Sequence, residues 1–168
     1  MSIETISAPI PLQEDMNVST FDCGEPSLNE WLKKRAFKNK RSGASRTYVI
    51  CQNQAVVGYY CLSACIIALD EMPKTLRRNM PEKIPVLVLG RLAIHKEYDN
   101  NGFGSALLRD AVLRALQASE IIGVVALLVH ALSENARRFY VSRGFIPSPV
   151  SSMTLCLILK EVRKILKE

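Results

Sequence analysis

The sequence predicts an α/β fold with a mixed sheet, and three observations carry that prediction. Two nearly unbroken apolar runs, PVLVLGRLAI (Pro85–Ile94) and GVVALLVHA (Gly123–Ala131), read as strands buried on both faces. Between them, SALLRDAVLRALQAS (Ser105–Ser119) repeats Leu107, Leu108, Ala111, Val112, Ala115 and Leu116 at helical spacing. Strands that alternate with helices along the rest of the chain complete the pattern.

Residues 2–8 alternate weakly and are expected to open the sheet. Ser27 and Glu30 have the spacing of a capping box, and Leu28, Trp31 and Leu32 give the following helix an apolar stripe. Thr47–Cys51 and Val56–Ile67 are rich in β-branched and aromatic residues, with Gln52–Gln54 as the turn of a hairpin. Residues 70–85 are polar and proline-containing, with a single helical turn expected at Thr75–Asn79. Ser133 is a good N-cap for ENARRFYVSR, and Gly144 is placed to end that helix. MTLCLILK (Met153–Lys160) reads as the last clear strand. The tail EVRKILKE, with Val162, Ile165 and Leu166 on one side, reads as a short amphipathic helix.

A length of 168 residues fits one compact domain over residues 1–168, and no repeat or linker divides it. No segment reaches the roughly 18 uninterrupted apolar residues of a membrane span. The N-terminal segment lacks the basic start and apolar stretch of a signal peptide, so a cytoplasmic protein is expected. Cys23, Cys51, Cys61, Cys65 and Cys156 form no CxxC pair and lie mostly in apolar runs, which predicts buried thiols without disulfides. His95 and His130 have no partners at metal-ligand spacing, and no metal is expected. The net charge of +6 is local: seven basic residues and no acidic one lie between Trp31 and Leu69. Such a local field favours a polyanionic partner or cofactor, although a solvated helix face is the plainer reading of any charge run.

The most informative stretch is a strand, then Asn100-Asn101-Gly102-Phe103-Gly104-Ser105, then a helix. Glycines there allow close backbone approach, successive N–H groups can form a nest, and the helix start adds partial positive charge. Together these suit a pyrophosphate; alone, the loop would read as a simple glycine turn. It is followed by VHALSENARRFYVSRGF, and GRLAI, GFGSALL and that segment together resemble the acetyl-CoA core of the GNAT acetyltransferase superfamily. The resemblance implies a mostly antiparallel mixed sheet splayed in a V and flanked by helices. It also implies that the backbone of Leu92, Ala93 and Ile94 pairs with the pantetheine arm of CoA. Asn101, Gly102, Phe103, Gly104 and Ser105 would hold the pyrophosphate. The family pattern matches at Asn135, Ala136, Phe139, Tyr140, Gly144 and Phe145, so Asn135 would contact the cofactor and Tyr140 would lie near the thioester sulfur.

FDCGEPSLNEWLKKRAFKNKRSGASRTYVI, GYYCLSA, LRRNMP and IPVLVLGRLAI resemble one branch more closely, the GNAT-type toxins of toxin–antitoxin pairs. These acetylate the free amine of aminoacyl-tRNA and block translation. The resemblance runs from about Phe21 to Leu159, and it implies a homodimer, a ribbon-helix-helix antitoxin, and DNA contact only through that antitoxin. The chemistry is compatible. A free α-amine has a pKa of roughly 7.7–8.0 against roughly 10.4 for lysine, so it needs little help from a protein base. No glutamate stands in Val86–Ile94 to act as one. Tyr140 is the candidate general acid toward the thiolate, with a packed helix aromatic as the structural alternative. The N–H of Leu92 or Ala93 could polarise the thioester carbonyl. Lys33, Lys34, Lys38, Arg41, Arg77, Arg78 and Arg91 become candidates for tRNA phosphate contacts. For Arg91 a structural role is a direct rival, because an arginine inside an apolar strand must find a partner.

Two positions depart from the family pattern. Asp99 opens the loop where a residue that does not repel phosphate is usual, with Asn101 where a small or basic residue precedes the first glycine. His95 stands where aspartate often follows the strand. Asp99 is expected to turn away or to pair with Lys96. These departures keep in play a catalytically weakened regulator on the same fold; a protein N-terminal or small-amine N-acetyltransferase, using the same cofactor site, is the other reading.

Overall fold

The computed structural model describes residues 6–166. Its elements run β1 (Ile10–Pro11), α1 (Pro26–Lys34), α2 (Ala36–Ser42), β2 (Arg46–Gln52), β3 (Ala55–Ala68), β4 (Lys83–Ile94) and α3 (Phe103–Ile121). The remainder is β5 (Ala126–His130), α4 (Glu134–Val141), β6 (Ile146–Ser148), β7 (Ser151–Ile158) and α5 (Leu159–Leu166). The strands form one seven-stranded sheet in the order β1-β2-β3-β4-β5-β7-β6. β4 and β5 pair in parallel, whereas β1–β2, β2–β3, β5–β7 and β6–β7 are antiparallel. The mixed α/β class expected from the sequence is the class observed.

The chain divides into two compact units, residues 1–63 with 90–111 and residues 64–89 with 112–168. The first has a core of Leu12, Phe21, Trp31, Leu32, Ala36, Val49, Cys51, Val56, Tyr59, Cys61 and Ala93. Tyr59 is its centre: the ring stacks on Trp31 at 5.8 Å, meets the edge of Phe21 at 5.4 Å, and its hydroxyl donates to the Leu28 carbonyl at 2.7 Å. The second unit packs Ile67, Met72, Ile84, Val86, Ala126, Leu128, Cys156 and Ile158. Burial of each large apolar side chain in these clusters favours folding by roughly 1.5–3 kcal/mol.

Several expectations need correction. The helix after Cys23 is not opened by a Ser27–Glu30 capping box. Pro26 occupies its first turn, Glu25 is the N-cap without a side-chain cap bond, and the Ser27 hydroxyl faces the Glu25 carboxylate. The preset φ of proline starts the helix instead. The helix also breaks at Arg35, so the basic run spans two short helices, and Gly43 ends the second at φ 83°. β4 is not buried on both faces. Ile84, Val86, Leu89 and Ala93 are buried while Gly90 is exposed, and the buried positions change parity between Val86 and Leu89. β5 is buried on both faces from Ala126 to Val129. The helical turn expected at Thr75–Asn79 is a 3-10 turn at Lys74–Leu76.

Three thiols are buried as expected, but Cys23 is only half-buried and Cys65 is exposed; all five are free. β6, a three-residue strand carrying Pro147, lies between the elements foreseen. In α5 Val162 is half-buried, while Ile165 and Leu166 are exposed. The strand expected at residues 2–8 falls largely outside the described residues; Ile6 makes an isolated bridge to Gln52. Among the described residues no helix is long and apolar enough to cross a membrane, and no group of His, Cys, Asp or Glu could hold a metal ion.

One exposed carboxylate fastens the approach to α1. Asp22 accepts from the Gly24 N–H at 2.9 Å and the Asn29 amide at 3.1 Å, and pairs with Lys96 at 3.0 Å. The Gly24 N–H first, then Lys96 and Asn29, lower its pKa from 3.8 to about 2. A depressed carboxylate contributes stability that is complete above its unfolded value and lost as pH falls through its folded value. Asp22→Asn is therefore expected to lower the urea midpoint at pH 7. Its deficit relative to wild type should shrink as pH falls from 3.8 toward about 2.

Candidate active site

The loop after β4 is built on buried supports. Tyr98 is buried, its hydroxyl meets Gln52 Oε1 at 2.5 Å, and its ring packs edge-on against His95 and Phe103. His95 is held at both ring nitrogens. Nδ1 accepts from the Glu97 N–H at 3.1 Å, which puts the proton on Nε2, facing the Thr20 carbonyl at 3.2 Å. Its own N–H donates to the Val57 carbonyl at 2.8 Å. His95 is thus the cap of a 3-10 turn at Lys96–Tyr98.

Beyond that turn the backbone alternates in hand. Asn100 has φ 64° and Gly102 φ 80°, with Asn101 at negative φ between them. This alternation turns successive N–H groups to one side, a concavity suited to an anion. The first helical bond runs from the Ala106 N–H to the Gly102 carbonyl at 3.0 Å, so α3 itself offers no acceptor to the N–H groups of Phe103 and Gly104. No acidic residue stands in the first turn of α3. Asn101 turns its amide inward, to the carbonyls of Tyr98 and Asp99. Asp99 is exposed, and its expected partner Lys96 is committed to Asp22. The concavity is thus set by backbone angles, with the Asp99 side chain exposed and the Asn101 amide occupied by main-chain carbonyls.

Leu92, Ala93 and Ile94 form the end of β4. Parallel pairing with β5 runs from Val86–Ala126 to Leu89–Val129, while β4 continues to Ile94. These residues and Asn101–Ser105 belong to the first compact unit.

Asn135 and Tyr140 lie on α4 in the second unit. Ser133 caps that helix as expected, its hydroxyl accepting from the Ala136 N–H at 3.1 Å. Gly144, at φ 95°, turns the chain out of it. Asn135 is exposed, and its side-chain oxygen accepts from Arg138. Tyr140 is buried, its ring between Phe139 at 5.2 Å and Phe145 at 5.3 Å. Burial pushes its phenol up to about 12, so the proton is retained at neutral pH. Among the described residues no group hydrogen-bonds its hydroxyl, and that oxygen is not among the sealed polar atoms.

A GNAT acetyltransferase-domain model matches residues 43–147. The chain belongs to the GNAT acetyltransferase family. It is 43% identical over 160 residues to the tRNA-acetylating toxin of Mycobacterium tuberculosis, covering 95% of this chain and 96% of that protein. The structure of AtaT complexed with acetyl-methionyl-tRNAfMet is 31% identical, with a TM-score of 0.89 over 96% of this chain and 99% of that one. The structure of AtaTR bound with acetyl-CoA has a TM-score of 0.84 at 31% identity, over 98% and 99%. The GNAT fold, with its mostly antiparallel seven-stranded sheet and five helices, is the fold that the resemblance implied.

The basic candidates are scattered in their environments. Lys34 pairs with Glu30 at 2.5 Å, and Arg41 grips Glu14 with two bonds of 2.9 and 2.8 Å. Arg77 spends its guanidinium on the carbonyls of Met72 and Asp70. Lys33, Lys38 and Arg78 are exposed. Arg91 lies over the Trp31 ring, 4.6 Å from its centroid. The sequence reading placed Trp31 only in an apolar stripe; this contact joins residues sixty positions apart, beyond the reach of any periodicity.

The loop's left-handed glycine yields a stability test. A Cβ at Gly102 would meet nothing within 4 Å, so the cost of Gly102→Ala is backbone strain alone, about 1–2 kcal/mol. Gly123 also has open space and no positive φ. Urea unfolding should show Gly102→Ala destabilised by that amount and Gly123→Ala close to wild type.

Proposed function

We propose that this GNAT-family protein is a toxin-like N-acetyltransferase that moves acetyl from acetyl-CoA to the α-amine of aminoacyl-tRNA and so blocks translation. The observation that carries the acceptor is the 43% identity along 95% of the chain to a tRNA-acetylating toxin. On the donor side the residues fit: a left-handed glycine in an open backbone concavity, and a helix start without an acidic side chain. Leu92, Ala93 and Ile94 would hold the pantetheine arm, Asn101–Ser105 the pyrophosphate, and Asn135 a further cofactor contact. Acetyl-CoA, when bound, supplies the acetyl group as a thioester.

The chain's own groups then have defined work. The N–H of Leu92 or Ala93 polarises the carbonyl oxygen. Tyr140 holds its proton and delivers it to the departing sulfur. The acceptor α-amine is neutral in substantial fraction near pH 7.7–8.0, so no protein carboxylate has to act as base. Lys33, Lys34, Lys38, Arg41, Arg77, Arg78 and Arg91 are assigned to tRNA phosphates; the ion pairs of Lys34 and Arg41 are exposed and exchangeable. The same reading takes residues 1–168 as one catalytic domain, cytoplasmic, acting as a homodimer. Its partner is a ribbon-helix-helix antitoxin, through which alone it meets DNA. AtaT, a structural relative, has been solved with its antitoxin AtaR and, as their complex, on DNA.

The test is incubation with acetyl-CoA and charged tRNA, peptides or polyamines in parallel. Label is expected on charged tRNA; label on peptides or polyamines without charged tRNA would overturn the acceptor. Tyr140→Phe should lower transfer about 10²–10⁴-fold while calorimetry still records acetyl-CoA binding. In bacteria the wild type should arrest growth and Tyr140→Phe, at equal abundance, should not. Equal toxicity would remove Tyr140 from the chemistry.

A further inference from the structure

Arg91 occupies an unusual position for a charged residue. It lies within β4, one residue before Leu92, and is half-buried. Among the described residues no carboxylate comes within ion-pair distance of it. One face of its guanidinium lies on the Trp31 ring at 4.6 Å, well inside the range of a cation–π contact. Trp31 is itself immobilised. It is buried and lies nearly parallel to Tyr59, at 7° and 5.8 Å, and Tyr59 is anchored by its hydroxyl bond to the Leu28 carbonyl at 2.7 Å. Burial raises the pKa of the nearby Cys61 thiol, and the Arg91 charge pulls it partly back. The layers Tyr59, Trp31 and Arg91 therefore form a rigid stack that ends in a cation.

A structural arginine in a sheet is normally compensated by a carboxylate or a set of carbonyls. Here the partner is an aromatic face, which carries no countercharge. The planar fork of five N–H donors is suited to a phosphate, and stacking fixes the fork before any ligand arrives. A side chain already ordered loses less entropy on binding, so its contact is worth more than that of a free surface lysine.

We propose that Trp31, through its stack on Tyr59, is a positioning residue that holds Arg91 as a fixed seat for one phosphodiester of the tRNA substrate. This proposal rests on the tRNA reading above and names the cation that acts with least freedom in it. Trp31 is not a surface aromatic left over from folding; it sets where the phosphate sits relative to the end of β4.

The test uses the intact protein. Binding of charged and uncharged tRNA is followed by fluorescence anisotropy over a salt series, alongside steady-state acetyl transfer. Arg91→Gln is expected to raise KM for charged tRNA about tenfold with kcat changed less than about twofold, the worth of one charge-assisted contact. It should also reduce the slope of log affinity against log salt by about 0.7–0.9, one phosphate's share. Trp31→Leu should move KM and the slope in the same direction, and Trp31→Phe, which keeps an aromatic face, should restore most of both. The double variant Trp31→Leu with Arg91→Gln should be no worse in KM than Arg91→Gln alone.

An unchanged salt slope in Arg91→Gln, or equal loss of acetyl-CoA and tRNA affinity in Trp31→Leu, overturns the seat. Should Trp31→Leu fail to fold, Trp31→Phe and Arg91→Gln still decide it, since Trp31→Phe removes less core volume and Arg91 is only half-buried. If wild type binds tRNA with a slope that Arg91→Gln reduces but transfers no acetyl group, the seat stands and the reaction is wrong. If transfer occurs and Arg91→Gln changes neither KM nor slope, the reaction stands and the seat is wrong. Absence of tRNA binding by wild type removes both.

Discussion

Two neighbouring strands that run in the same direction cannot be joined by a tight turn. β4 and β5 are such a pair, and the chain must leave the end of β4, cross as a helix and return. α3 is that crossover, and its beginning is where the chain changes from strand to helix. The change leaves N–H groups without helical acceptors and adds the positive end of the helix dipole. The left-handed turns at Asn100 and Gly102 then aim them together. The parallel ladder also ends at Leu89 and Val129 while β4 continues through Leu92, Ala93 and Ile94. A strand end that has run past its parallel partner and an anion-seeking helix start are thus products of one topological requirement.

Such a loop needs rigid ends, because a concavity made of N–H groups loses its value if they reorient. Rigidity comes from polar groups that a composition count would assign to the surface. His95 bridges the Glu97 N–H and the Thr20 carbonyl, Tyr98 reaches Gln52, and Lys96 closes on Asp22. The Asp99 side chain takes no part in this frame and is exposed, where solvent and salt screen its charge. A sequence pattern compares side chains, whereas the turn at Asn100–Gly102 is set by main-chain angles. A comparison of side chains therefore weighs Asp99 and His95 without weighing the backbone between them and α3.

Much of the architecture is readable from the chain because its signals are local. β5 and α3 announce themselves through an unbroken apolar run and a helical repeat, and Ser133 and Gly144 mark the limits of α4 by their chemistry. Other features are hidden for definable reasons. A uniformly apolar β4 cannot reveal which face is buried, nor the change of parity between Val86 and Leu89. Pro26 can start a helix as well as Ser27 can cap one, and only the backbone angle at Glu25 decides between them. β6 is too short, and its proline too atypical, to register as a strand. The candidate site residues were readable through family resemblance, while the stack of Arg91 on Trp31 is a contact of distant residues and has no sequence signal at all.

Burial acts in opposite ways on Tyr140 and Arg91. For Tyr140 it removes water from a group that is neutral at physiological pH, so the penalty falls only on the phenolate and the proton is secured. For Arg91 the group is a cation held half-buried on an aromatic face, so the cost of lost water falls on the charge itself. An aromatic face returns roughly 0.5–2 kcal/mol to such a cation, less than the several kcal/mol that desolvating an ion can cost. Tyr140 is therefore settled by its burial, whereas Arg91 is a half-buried cation with no carboxylate within ion-pair distance among the described residues. On the seat proposed for it, a phosphate would supply the countercharge that the fold itself does not.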